Sequence, residues 1–125
     1  MTEPDTGNCQ IDPQALQKIR DLQRPGKESV VLRIIDAYLA STPPLIDELN
    51  RALAGSDDQT AMRSAHTLKS SSAVLGATEF AAICLQIESL ARENNLTAIP
   101  PLMTRFSALY TATCTALKAL REREA

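Results

Sequence analysis

At 125 residues and 13.6 kDa the chain has the size of one domain and is too short for two independent cores. Ala and Leu supply 34 residues, Val and Ile 11 and the aromatics 4, so strand formers are scarce and the composition points to an all-α fold. The 13 Lys and Arg against 15 Asp and Glu give a net charge of -2 and a pI near 5.4, without the concentrated basic surface that a nucleic-acid partner requires.

The first segment, Met1 to Gln10, is polar, carries Pro4, Gly7 and Asn8, and has too little apolar surface to offset its ordering entropy, so residues 1–10 read as a disordered tail or a linker and 11–125 as the folded domain. It has neither the basic cluster nor the apolar core of a secretory signal. Asp12 before Pro13 sets a helix start, and Leu16, Ile19 and Gln23 follow at helical spacing until Pro25 and Gly26, giving a short first helix. From Glu28 the apolar series Val31, Leu32, Ile35, Tyr38, Leu39 resumes after Pro43 and Pro44 as Leu45, Ile46, Leu49, Leu53, which predicts one long helix kinked or broken at the prolines.

Ser56 and Gln59 read as a capping box opening a third helix that ends near Gly76. Phe80, Ile83, Cys84, Ile87, Leu90 and Ala91 mark a fourth, stopped at Asn94 and Asn95. Pro100 or Pro101 opens the last, with Leu102, Met103, Phe106, Leu109, Tyr110, Thr113, Leu117 and Leu120 on one side. Short connections force neighbouring helices to reverse, so the expected architecture is an antiparallel four-helix bundle with a short N-terminal capping helix. The longest run without charge, Phe106 to Leu117, has 12 residues against the roughly 20 needed to cross a membrane. A cytoplasmic monomer without membrane contact is the expectation.

The chain has one histidine, His66, in the middle of the third predicted helix. Ala61, Ala65, Leu68, Ser72 and Leu75 define the buried direction of that helix, and His66 lies about 140° away from it. It therefore projects from the bundle. Lys69, at i+3, stands beside it as an ammonium able to neutralise a dianionic group on the ring, in an exposed setting where its own weight in stability is about 0–1 kcal/mol. Thr67, Ser70, Ser71 and Ala73 keep the surface around the pair low, and three successive serines trade helix propensity for access. A free imidazole, with an ordinary pKa near 6.5, is mostly neutral at pH 7 and can attack phosphorus if the donor can approach in line. Arg63, about 60° from His66, is a further candidate for positive potential at this surface.

Other chemistries fit less well. Cys9, Cys84 and Cys114 are odd in number and widely spaced, unlike a disulfide framework or a metal knuckle, and read as free thiols. Cys84 falls at an apolar helix position, as core filler. One histidine with scattered cysteines does not make a zinc site, and no nucleophile-elbow motif is present.

The segment AHTLKSSSAVLGATEFAAICLQIESLA, from Ala65 to Ala91, resembles the signature of histidine-containing phosphotransfer (HPt) domains of bacterial phosphorelays, roughly AHxLKGxxxxxGAxxLxxxCxxLE. His66, Leu68, Lys69, Gly76, Ala77, Cys84 and Glu88 fall in register, over about a quarter of the chain. Ser70 stands where the family has glycine and Phe80 where it has leucine. The resemblance implies that His66 takes a phosphoryl group from an aspartyl phosphate on a response-regulator receiver domain, in cis or in trans, and passes it to an aspartate of another. It also implies that Lys69 stabilises that group and that the surface at Ser70 and Ala73 faces the receiver. No cofactor is expected on this chain, since the family's Mg²⁺ belongs to the receiver, and no autonomous turnover is expected of a phosphoryl carrier. Leu68, Gly76, Cys84 and Glu88 are structural matches. The linker-like first ten residues favour the C-terminal module of a hybrid sensor histidine kinase over a free protein. The competing reading is a non-catalytic helical adaptor whose histidine is incidental.

Overall fold

The structure is a computed structural model and describes residues 11–124, so the expected tail over 1–10, Cys9 included, lies outside the described residues. Among the described residues, five α-helices and two short 3₁₀ turns account for the regular structure: α1 (Pro13–Arg20), α2 (Val30–Ala54), α3 (Asp58–Val74), α4 (Thr78–Arg92), the turns Leu96–Ala98 and Pro100–Leu102, and α5 (Met103–Glu124). The links 55–57 and 75–77 are too short for anything but reversal, so α2, α3 and α4 run up and down, and α5 closes the bundle against α2 and α4.

The core has two layers. Leu49, Ala65, Leu68, Phe80, Ile87 and Phe106 belong to one, with the Phe80 and Phe106 rings tilted at 5.0 Å between centroids. In the other, Leu16 and Ile19 of α1 meet Val31, Ile35 and Tyr38 of α2 and Leu117 and Leu120 of α5, so the short helix caps one end of the bundle. Two ion pairs fasten the same end, the exposed Arg121 Nε to Asp36 Oδ1 at 2.6 Å and the part-buried Arg20 Nη2 to Glu124 Oε2 at 2.6 Å. Alanines at Ala61, Ala65, Ala77 and Ala91 carry no side chain beyond Cβ at fully buried positions, which lets α3 and α4 approach closely.

Several boundaries differ from expectation for identifiable reasons. Helix α1 stops at Arg20 and excludes Gln23, because the Gln23 amide is taken up by the loop: Nε2 donates to the carbonyls of Arg24, Lys27 and Glu28, and Oε1 accepts from the Val30 amide at 2.7 Å. Helix α2 is the one long helix that the spacing predicts, and it runs through Pro43 and Pro44 without a break. Burial of Tyr38 and Thr42 before the prolines and Leu49 and Ala52 after them holds both halves on one core, against the roughly 3 kcal/mol that an interior proline costs. The capping box at Ser56 does not form. Ser56 has φ +56°, closing off α2, whereas an N-cap needs extended backbone; Asp57 caps instead, its carboxylate accepting from the Thr60 amide at 3.1 Å. The prolines at 100 and 101 do not open α5, since the Leu102 amide donates to the Ile99 carbonyl three residues back and closes a 3₁₀ turn before Met103.

Gly76 is fixed by its neighbours. It ends α3 with φ +80°, and a Cβ there would stand 2.7 Å from the Asp12 nitrogen and 2.9 Å from its carbonyl oxygen. The Asp12 amide donates to the Gly76 carbonyl at 2.8 Å, so the entry to α1 is seated on the α3–α4 turn.

Candidate functional site

Helix α3 places its chemistry by periodicity. Ala61, Ser64, Ala65, Leu68 and Ser72 are buried, which turns the opposite face outward, and His66 on that face keeps 57% of its side chain exposed. Thr67, Ser70 and Ala73 are exposed beside it, Ser71 is half-buried, and Arg63 is exposed with its guanidinium directed one turn back to Thr60 Oγ1 at 3.4 Å. The serine triplet is not uniformly an access device. Ser72 is fully buried and hydrogen-bonded to the Tyr38 hydroxyl at 2.7 Å, which ties α3 to α2. Ser71 borders an apolar groove of about 240 Å³ between the same two helices, with Ile34, Ala37, Tyr38, Ser41, Val74 and Leu75. Cys84 is fully buried, and burial pushes its thiol up to about 12, as core filler requires.

The centre of the site comes from the facing helix. On α4 the spacing Cys84, Ile87, Glu88, Ala91 is a core stripe, and it carries a carboxylate at a fully buried position. Glu88 Oε2 accepts from His66 Nδ1 at 2.8 Å and from Arg92 Nη2 at 2.8 Å, while Lys69 Nζ forms an ion pair with Oε1 at 2.6 Å. Burial alone raises the Glu88 carboxyl, but the contacts from Lys69, His66 and Arg92 outweigh it and hold the group at about 2. Glu88 is therefore a permanent carboxylate at neutral pH. As an acceptor it fixes the proton of His66 on Nδ1, so the lone pair stands on Nε2, the nitrogen not occupied by this bond.

Two expectations change here. Lys69 is not a loose surface ammonium: its side chain is 27% exposed and its partner 2%, so removing it affects more than a solvated ion pair. Glu88 is more than a structural match, since it meets His66, Lys69 and Arg92 together. The signal for it was in the sequence as an acid on the apolar stripe of the fourth helix, where an unpaired charge is not tolerated. Arg92 gave no such signal, because a basic residue in the last turn of an exposed helix face is ordinary. Among the described residues no group of three or more His, Cys, Asp or Glu is placed to hold a metal ion, and no helix is long and apolar enough to cross a membrane.

Comparison with known proteins bears on the family and the fold. The family model described as Hpt domain matches residues 33–122. Among solved structures, histidine-containing phosphotransfer protein B (HptB) from Pseudomonas aeruginosa PAO1 is similar in fold, with a TM-score of 0.82 at 22% identity, over 93% of this chain and 97% of that one. No curated protein matches.

Proposed function

The chain belongs to the Hpt domain family, whose members are histidine phosphotransfer modules of phosphorelays, and on that premise we propose that His66 is the phosphoryl acceptor and donor. The observation that carries the assignment is the exposed imidazole whose Nδ1–H is held by a buried carboxylate. The Nε2 lone pair attacks the phosphorus of a receiver's aspartyl phosphate. The N–P bond forms as the acyl P–O bond breaks, and the leaving electron pair remains on the receiver's carboxylate. The phosphorylated ring gains positive character, which Glu88 stabilises through Nδ1–H, and the reverse displacement delivers the group to a second receiver aspartate. Lys69, fixed on Glu88, supplies positive potential one turn from His66.

The receiver docks over Thr67, Ser70, Ser71 and Ala73, with Arg63 at the edge, because these positions are low and exposed or half-exposed around the imidazole. We assign Mg²⁺ to the receiver: the carboxylate beside His66 is already engaged by three donors. The module carries a phosphoryl group without turnover of its own and works as a cytoplasmic monomer on receivers in cis or in trans. An adaptor with an incidental histidine leaves a buried acid aimed at that histidine without a purpose. The test is incubation with a ³²P-labelled receiver. Acid-labile, base-stable label that is lost in His66→Gln is expected, and undiminished label in that variant overturns the assignment.

A further inference from the structure

We infer that Arg92 is the cation that closes onto the phosphoryl group carried by His66, an inference that rests on the phosphohistidine reading above. Arg92 lies one residue beyond the segment Ala65 to Ala91 that carries the family signature. The two oxygens of Glu88 are not equivalent. Oε1 is sealed from solvent and has Lys69 as its ion-pair partner, whereas Oε2 is shared by His66 and Arg92. If Lys69 left, a sealed, charged oxygen would lose its cation with no water to replace it. If Arg92 leaves, the Oε2 bond to His66 remains. Lys69 is thus anchored, and Arg92 is exchangeable.

Position and chemistry favour the same residue. Arg92 is the last residue of α4, and the chain turns away two residues later at Asn94 with φ +61°, so no further helical turn confines its side chain. Its side chain is 57% exposed, twice the exposure of Lys69. Arg92 Nη2 and His66 Nδ1 each stand 2.8 Å from the same oxygen and so lie within 5.6 Å of one another, a distance that a long flexible side chain bridges by rotation. The guanidinium presents a planar fork of donors that matches phosphoryl oxygens in pairs, which an ammonium does not. Before transfer Lys69 and Arg92 outnumber Glu88 by one charge, and the incoming group brings roughly two negative charges. The surplus cation is the exchangeable one.

The experiment uses phosphoramidate as donor, so that no receiver surface intervenes, and follows the phosphohistidine by ³¹P NMR as a function of pH. A guanidinium paired with the phosphoryl group lowers the midpoint of its second ionisation. Arg92→Gln should raise that midpoint by about half a unit or more and shorten the phosphoryl lifetime severalfold, and Arg92→Lys should restore part of the shift. The Arg92→Gln shift should persist in a Glu88→Gln background, because the contact is direct. A midpoint equal to wild type in Arg92→Gln, or a shift that vanishes once Glu88 is replaced, overturns the inference and leaves the phosphohistidine intact. Absence of a ³¹P signal dependent on His66 in the wild-type chain overturns both.

Discussion

Replacement of Lys69 by Met separates an anchored cation from a surface one. Methionine keeps the length of the aliphatic stem and nearly the helix propensity of lysine, so packing and helix formation change little. What changes is Glu88 Oε1, a sealed oxygen that loses its cation while Oε2 keeps His66 and Arg92. An unsatisfied buried acceptor costs about 1–3 kcal/mol, and the larger 3–5 kcal/mol of a broken buried pair applies when no other partner remains. The expected loss at pH 7 is therefore about 1–3 kcal/mol, read as a lower urea midpoint at unchanged m-value. The exposed pair between Arg121 and Asp36, with side chains 48% and 51% exposed, supplies the comparison, and breaking it should leave the urea midpoint nearly unchanged. In a Glu88→Gln background the Lys69→Met loss should shrink by at least about 1 kcal/mol, since the charge that demanded the ammonium is gone. A loss for Lys69→Met below about 0.5 kcal/mol, or one unaffected by Glu88→Gln, refutes the anchoring and returns Lys69 to the status of a solvated surface group.

The same carboxylate governs acid stability: the folded value of about 2 lies below the ordinary 4.5, so its contribution is complete above the unfolded value and is lost as pH falls toward 2. Urea midpoints should decline between pH 4.5 and pH 2, with a shallower decline in Glu88→Gln; an equal slope in both would show that Glu88 is not the group responsible. Gly76→Ala combines a left-handed backbone with a Cβ at 2.7 Å from the Asp12 nitrogen and should destabilise the domain by about 2–4 kcal/mol in thermal or urea unfolding, whereas a near-neutral effect would mean that the seat of α1 yields freely. Ser70→Trp should block transfer from a phosphorylated receiver while the bundle melts near the wild-type temperature, and Ser70→Gly should transfer at least as fast at a cost of about 0.5 kcal/mol. A folded Trp variant that transfers normally would put receiver docking on another face.

Periodicity carried most of the architecture because helical spacing records burial directly: Leu68, Phe80, Ile87, Phe106 and Leu117 were all expected on core faces and are all buried. Boundaries were less legible where a side chain outside the helix competes for the backbone, as Gln23 does before α2, or where one residue must serve the end of the preceding helix, as Ser56 does after α2. The outward direction of His66 followed from its own helix. Its partner did not, because the Glu88 contact joins residues 22 positions apart on two helices, and periodicity places a residue on a face without saying what it meets across the interface. The charge of Glu88 at a stripe position was the readable trace of that contact. For Arg92, four residues on from Glu88, the spacing was available but common to many solvated pairs.

The most direct measurement is the identity of the nitrogen that carries the phosphoryl group. With ¹⁵N-labelled histidine, one-bond coupling between ³¹P and the ring nitrogen distinguishes the two positions in the phosphorylated chain. Because Glu88 holds Nδ1–H at 2.8 Å, the coupling is predicted at Nε2 of His66. Coupling at Nδ1 would contradict a site built around that hydrogen bond.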